Sequence, residues 1–369
     1  MGKKITKGFQ DTTLALLKGE NMRIPFLKPG ITEADIQRMN QSIRTGWLVH
    51  GEYTHQVEQE LNKLLKGTTF MTASCTASLH MSLMLAGVKR GDEVITTPMS
   101  WVSTANVIKY QGAKVVFADV DPLTGILDIE DVKKKITKKT KAVIVVHLYG
   151  QMADMQEFSK LPVPVIEDCA HGLEAERDGI KPGQLGFSAC FSFHAAKNIT
   201  CGQGGAILTK EIEKCKLLVR DGVTNINGKR VMVDWGYKYD STDFQAALLI
   251  GQLERIKKTH AQRLKVYERY EKAFKGMCPQ RTGTHACHMF VIWVDPLKRD
   301  RIRRRLTERG IDTSIHYAPI HKEPFYNSKV SLPVAEKMGS QIITLPTYPM
   351  TKRQQEYVIK EVKQCLELP

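Results

Sequence analysis

The sequence has no run of about eighteen apolar residues, so it offers no membrane-spanning helix. None of its eight cysteines forms a C-x-x-C pair, and several stand in apolar, strand-like segments. That pattern argues against a disulfide framework and predicts free, buried thiols. His285, Cys287 and His288 are close in sequence but lack a fourth partner at metal-ligand spacing, so no metal is expected. Internal repeats and low-complexity stretches are absent. The first 21 residues have lysines but neither a long apolar stretch nor a small-residue cleavage site, unlike a secretion signal, and the expected location is the cytoplasm. Acidic residues are in deficit: 54 Lys and Arg against 39 Asp and Glu leave a net charge of +15. No nucleic-acid-binding signature accompanies the excess. Its densest runs are Lys133, Lys134 and Lys135 with Lys138 and Lys139, and Arg299 with Arg301, Arg303, Arg304 and Arg305. Both have helical spacing and read as solvated faces. A general attraction for an anionic substrate fits the charge equally well.

What the sequence does contain is alternation. Short apolar runs at 93–96, 114–118, 142–147, 163–167, 189–193 and 206–208 predict strands, and helical spacing at 77–86, 103–111 and 129–136 falls between them. This order argues for an α/β domain around a mostly parallel sheet. A long helical pattern at 243–274 breaks near Lys257. A strand-like run at 288–294, a basic helix at 301–309 and a final helix at 352–366 follow, which predicts a smaller α+β domain. The expected division is an extension at 1–21, a large domain at 22–255 and a small domain at 256–369.

Lys197 is the most informative residue. It lies in SFHAAKNITCGQGG, after a strand-like stretch and before Gly202, Gly204 and Gly205. A lysine at a strand end among small residues can lose its proton and form a Schiff base. About thirty residues earlier, the strand of VPVIEDCAHG ends in Asp168. A lysine for a carbonyl and an aspartate for a pyridinium nitrogen are the two groups that pyridoxal phosphate demands of a protein. Ser74, Thr76 and Ser78 precede an apolar helical run and predict hydroxyls and backbone N–H groups for a phosphate. Trp101, in the loop after a strand and Pro98, is the candidate to stack on a flat ring. His171 is placed either to hold Asp168 or to touch the cofactor.

These motifs, in this order, resemble the DegT/DnrJ/EryC1/StrS family of pyridoxal-phosphate-dependent sugar aminotransferases. The similarity runs from about Ile24 to the C-terminus through PFLKPGIT, GDEVITTPMSWVSTANVI, VIEDCAHG, SFHAAKNITCGQGG, GYKYDSTDFQAALLIGQLE and GIDTSIHYAPIHKEPFY. The resemblance implies fold type I of the pyridoxal phosphate enzymes, as in aspartate aminotransferase, and a homodimer with shared active sites. It gives Lys197 as the catalytic lysine, Asp168 as the ring-nitrogen partner and Trp101 as the stacking aromatic. Thr76, Ala77 and Ser192 match phosphate-binding positions. His171 matches a position near the cofactor, and His316 and Tyr317 positions near the substrate. The implied partners are a keto sugar carried on a nucleotide and glutamate as amino donor, for amino-sugar synthesis. The sequence departs from the family pattern at Cys75, often glycine, at Gln203, often glutamate, and at Lys238 and Asp240, often asparagine and arginine. Lys238 is kept as a candidate phosphate contact. Relatives that dehydrate sugars replace the lysine with histidine, and this chain keeps Lys197. A non-nucleotide keto sugar or cyclitol is the alternative substrate, and a non-catalytic regulatory or binding role is the alternative class.

Overall fold

The computed structural model describes residues 22–367. The extension expected at 1–21 lies outside them. Seven strands form the central sheet: β1 (Thr69–Thr72), β2 (Glu93–Thr96), β3 (Lys114–Phe117), β4 (Thr140–Val146), β5 (Val165–Asp168), β6 (Ser188–Ser192) and β7 (Gly205–Thr209). Their spatial order is β1-β7-β6-β5-β4-β2-β3. The pairs β3/β2, β2/β4, β4/β5 and β5/β6 are parallel, whereas β7 is antiparallel to β6 and β1. The sheet is thus mostly parallel, as expected. Every residue of β2 and β5 is buried, which is why these strands read as apolar runs rather than as alternation.

Helices α1 (Glu33–Arg44) and α2 (Glu52–Leu65) precede the sheet. Helix α3 (Cys75–Leu85) follows β1 directly, packs on β6 and β7 and is buried nearly all round. Helix α4 (Ser103–Tyr110) follows β2. An exposed hairpin, β8 (Val223–Ile226) and β9 (Lys229–Met232), stands apart from the sheet. Helices α5 (Asp243–Glu254) and α6 (Ile256–Ala273) are separated at Arg255, whose guanidinium pairs with the buried Asp35 of α1. The sequence pattern put this break two residues later. Beyond it, antiparallel β10 (Phe290–Trp293) and β11 (Ile342–Leu345) share a core with α6, α7 (Arg299–Glu308) and α8 (Lys352–Leu366). Tyr270, Phe274, Phe290 and Leu306 fill it.

All eight cysteines are free. Members of the basic runs pair locally, Lys133 with Glu130, Lys135 with Asp131 and Arg305 with Glu308. Among the described residues no helix is long and apolar enough to cross a membrane.

Candidate active site

Parallel strands all end at one edge of a sheet, and ligands collect there. In this chain β1, β4, β5 and β6 deliver Thr72, Val146, Asp168 and Ser192 to that edge, and the reversed β7 begins there at Gly205. A cavity of about 440 Å³ opens over it. Its walls bring together Thr76, Trp101, Asp168, His171, Ser192, Lys197, His316 and Tyr317 from segments far apart in sequence, with Cys75, Thr104 and Gln203 beside them.

The loop joining β6 to β7 presents Lys197. It is tied across its base, with Phe193 N–H donating to Gly204 O at 2.9 Å and Ala195 N–H to Gly202 O at 2.9 Å. The N–H of Lys197 itself donates to His194 O at 2.8 Å, so the side chain leaves a tight turn. Burial of the amine lowers its pKa to about 8, against the opposing pull of Cys75 and Asp168.

Asp168 is the last residue of β5 and is buried. Its Oδ2 accepts from Thr104 Oγ1 at 2.8 Å and its Oδ1 from Ala170 N–H at 3.1 Å. Burial raises its pKa, while these two donors hold it down. Thr104 is itself bonded to Ser100 Oγ at 2.8 Å. Glu167, one residue earlier, takes the opposite face of the strand, as the period of two requires. There it accepts from His147 Nε2 at 2.8 Å and from the N–H groups of Gly183 and Gly186 at 3.1 and 2.9 Å.

His171 does not bond Asp168. Its Nδ1 accepts from Tyr149 N–H at 3.2 Å, so Nε2 carries the proton and meets Tyr317 Oη at 3.1 Å. Burial holds its pKa well below the usual histidine range. The ring of His288 lies 4.5 Å away. His316 bonds Thr344 Oγ1 at 3.1 Å and stacks on Phe26, and burial lowers its pKa to about 4. Trp101 is 63% exposed, at the rim of the cavity rather than in the core.

The amino end of α3 forms another wall. Ser74 caps it, its Oγ accepting from Ala77 N–H at 3.1 Å. Ala77 is therefore engaged inside its own helix and does not line the cavity. Gly205 passes so close that an added Cβ would lie 2.4 Å from Cys75 N, so β7 can reach this corner only with glycine there. Lys238 is not a lining residue of its own chain's cavity. It is exposed and pairs with Asp221 at 3.2 Å and Asp240 at 3.9 Å. Thr104 was missed by the sequence reading, although its place three residues after Trp101, in the first turn of α4, is a usable signal.

The pattern shared by DegT/DnrJ/EryC1/StrS aminotransferases matches residues 29–363. The chain belongs to this aminotransferase family. It is 36% identical to the uncharacterized protein MJ1066 of Methanocaldococcus jannaschii over 93% of this chain and 97% of that one. Spr1654 of Streptococcus pneumoniae, assigned as a sugar aminotransferase, has its pyridoxal phosphate form at TM-score 0.88 and 27% identity, covering 94% of this chain and 99% of that one. Helicobacter pylori PseC, an aminotransferase in pseudoaminic acid biosynthesis, superposes at TM-score 0.88 and 25% identity, covering 94% and 100%. The type I fold is therefore established for this aminotransferase.

Pyridoxal phosphate asks for an amine that can be neutral, an anion for the ring nitrogen and donors for the phosphate. Around this one cavity stand the lowered amine of Lys197, the carboxyl of Asp168, and the amino end of α3 with the hydroxyls of Thr76 and Ser192. The donor set fits the cofactor.

Proposed function

We propose that this chain is a sugar aminotransferase that uses pyridoxal phosphate to move an amino group from glutamate to a keto sugar carried on a nucleotide. The observation that supports it most is the pairing of a lysine amine lowered to about 8 with a buried aspartate in one cavity. Bound there, the cofactor supplies a carbonyl for amine exchange and a ring that withdraws electrons. Lys197 Nζ would be its covalent anchor and, as a free amine, would take a proton from the donor's Cα and return one during the exchange. Asp168 holds the ring nitrogen, and Thr104 and Ala170 N–H fix the carboxylate that does so. Trp101, at the rim of the cavity, would cover the ring. Thr76, Ser192 and the N–H groups at the start of α3 would hold the phosphate, without that of Ala77, which Ser74 Oγ already takes. His171 orients Tyr317 through the bond between them, and His316 and Tyr317 border the space for the sugar.

The division into a large unit at 22–255 and a small one at 256–369 belongs to the same reading, as does a cytoplasmic location, where free thiols persist. So does the homodimer. Lys238 is outside its own chain's cavity, so a phosphate role for it requires a second copy. The test is a screen of UDP-, dTDP-, GDP- and CMP-linked keto sugars with glutamate, read by mass for gain of an amine. Equal use of a free keto sugar would remove the nucleotide from the proposal.

A further inference from the structure

Away from the cavity, three side chains of metal-ligand type meet at the start of α2. His50 ends the segment that leads into this helix, and His55 and Glu58 lie about one turn apart on it. One nitrogen from each ring and one carboxylate oxygen all fall within 4.8 Å of one another. None of the three residues lines the cavity that holds Lys197.

The separations decide what the cluster suits. His50 Nε2 stands 3.5 Å from Glu58 Oε1, and His55 Nδ1 stands 3.4 Å from Glu58 Oε2. Both exceed the usual N–H···O length of about 2.7–3.2 Å. Two ligands on a tetrahedral zinc, with bonds of about 2.0–2.1 Å, lie about 3.4 Å apart. Neighbouring ligands on an octahedral ion with the same bonds would come to about 3.0 Å. The spacing is too wide for shared protons and matches a tetrahedral edge.

His50 gives a second, independent sign. Its side chain is only 8% exposed, and Nε2 is buried with no hydrogen-bond partner. A buried polar atom left unmet is costly, and an ion is one way to satisfy it. The rings of His50 and His55 stand edge to face, 4.6 Å apart, and each presents a nitrogen to Glu58.

The surroundings hold these groups in place. Glu58 Oε1 accepts from Met71 N–H of β1 at 2.9 Å. Trp47 Nε1 donates to His50 O at 3.0 Å. Asp243, the first residue of α5, ties the two halves together. Its N–H donates to Leu48 O at 3.1 Å, and its Oδ1 accepts from Thr54 N–H at 2.8 Å. A Cβ on Gly51 would lie 2.6 Å from the Trp47 ring, so the turn between His50 and α2 closes with glycine there. Outer contacts of this kind orient the ligands of a metal.

We infer that His50, His55 and Glu58 bind one divalent transition-metal ion. The tetrahedral spacing and the two imidazoles select zinc, and water completes its fourth position on the exposed side of His55. The ion is a clasp between the segment at 47–50 and α2, and it takes no part in the proposed amine transfer.

The test uses the cofactor-loaded full chain, freed of metal by a chelator, dialysed and titrated with Zn²⁺ alone. One zinc per chain should bind, read by equilibrium dialysis with metal analysis. Losing a ligand costs more than losing its outer support, so His50→Gln and His55→Gln should each weaken zinc binding at least about 100-fold. Zinc should also raise the thermal unfolding midpoint of the wild type and leave that of His55→Gln unmoved. His55 is exposed, so its variant keeps the fold and decides alone if His50→Gln does not fold. Zinc held equally by wild type and His55→Gln overturns the inference and assigns the ion to other groups, such as the free thiols. A wild type that takes up no zinc, or whose midpoint ignores it, overturns the inference as well.

Discussion

Burial pushes Lys197 and Asp168 in the same direction, each toward its neutral form. For Lys197 this is useful by itself. Its folded pKa of about 8 lies below the ordinary 10.5, so the neutral amine prevails above pH 8. Uptake of pyridoxal phosphate by the apoprotein should rise about tenfold per pH unit below 8 and level off above it, read by absorbance. The linkage has a definite sign. Between about 8 and 10.5 the unfolded chain binds more protons at this group, so its contribution makes the apoprotein more stable as pH rises through that window. Borohydride should fix the cofactor to Lys197, and Lys197→Ala should lose covalent cofactor; fixation at another lysine would refute the assignment. For Asp168 burial works against the proposed role, and Thr104 opposes it. Thr104→Val should raise the carboxyl's pKa further and lower turnover by roughly three- to tenfold at neutral pH. Asp168→Asn should still bind cofactor but lose most activity. Near-normal turnover in either variant, measured at saturating substrates, would remove that residue from the mechanism.

The elements matter through where they end. Gly205 lets β7 start against the amino end of α3. Gly205→Ala forces the two apart and should cost about 1–3 kcal/mol by thermal or denaturant unfolding. Cofactor affinity should fall in parallel. The strands around the site were legible because buried parallel strands are continuous apolar runs, and β5 and β6 stand out as such. Three features were not. β1 is four residues with no alternation. β11 lies far from the lysine and aspartate motifs that guided the reading. The hairpin of β8 and β9 is mostly exposed and polar, so no core pattern announces it. Site residues carried by sharp motifs, Lys197 and Asp168, were readable one by one. The inward turn of Thr104 and the bond that joins His171 to Tyr317 depend on tertiary packing that neither period nor composition encodes.

At the scale of the whole molecule, large apolar side chains remain exposed in two stretches: Trp47, Leu48 and Val49, and Met232, Val233 and Trp235. Such surfaces signal association. Sedimentation should find the proposed dimer, and Met232→Asp with Trp235→Asp should shift it toward monomer; an unchanged dimer would place the interface elsewhere. The net charge of +15 carries a separate expectation. If a nucleotide diphosphate is recognised, the KM for the sugar should rise with ionic strength more than that for glutamate. Lys238→Ala should then raise the sugar KM and blunt the salt effect, whereas weaker cofactor retention would assign Lys238 to the cofactor phosphate.

Glu167 and Asp168 sit back to back on β5, one locked to His147 and two glycine N–H groups, the other open to the cavity. A slip of the strand by one residue would exchange them. It would strand the longer acid in the cavity and pull the shorter one out of reach of His147. The hidden pair on the far face therefore acts as a proofreading device. It makes the misthreaded strand expensive, so the acid that faces the cavity is chosen by groups that never touch it.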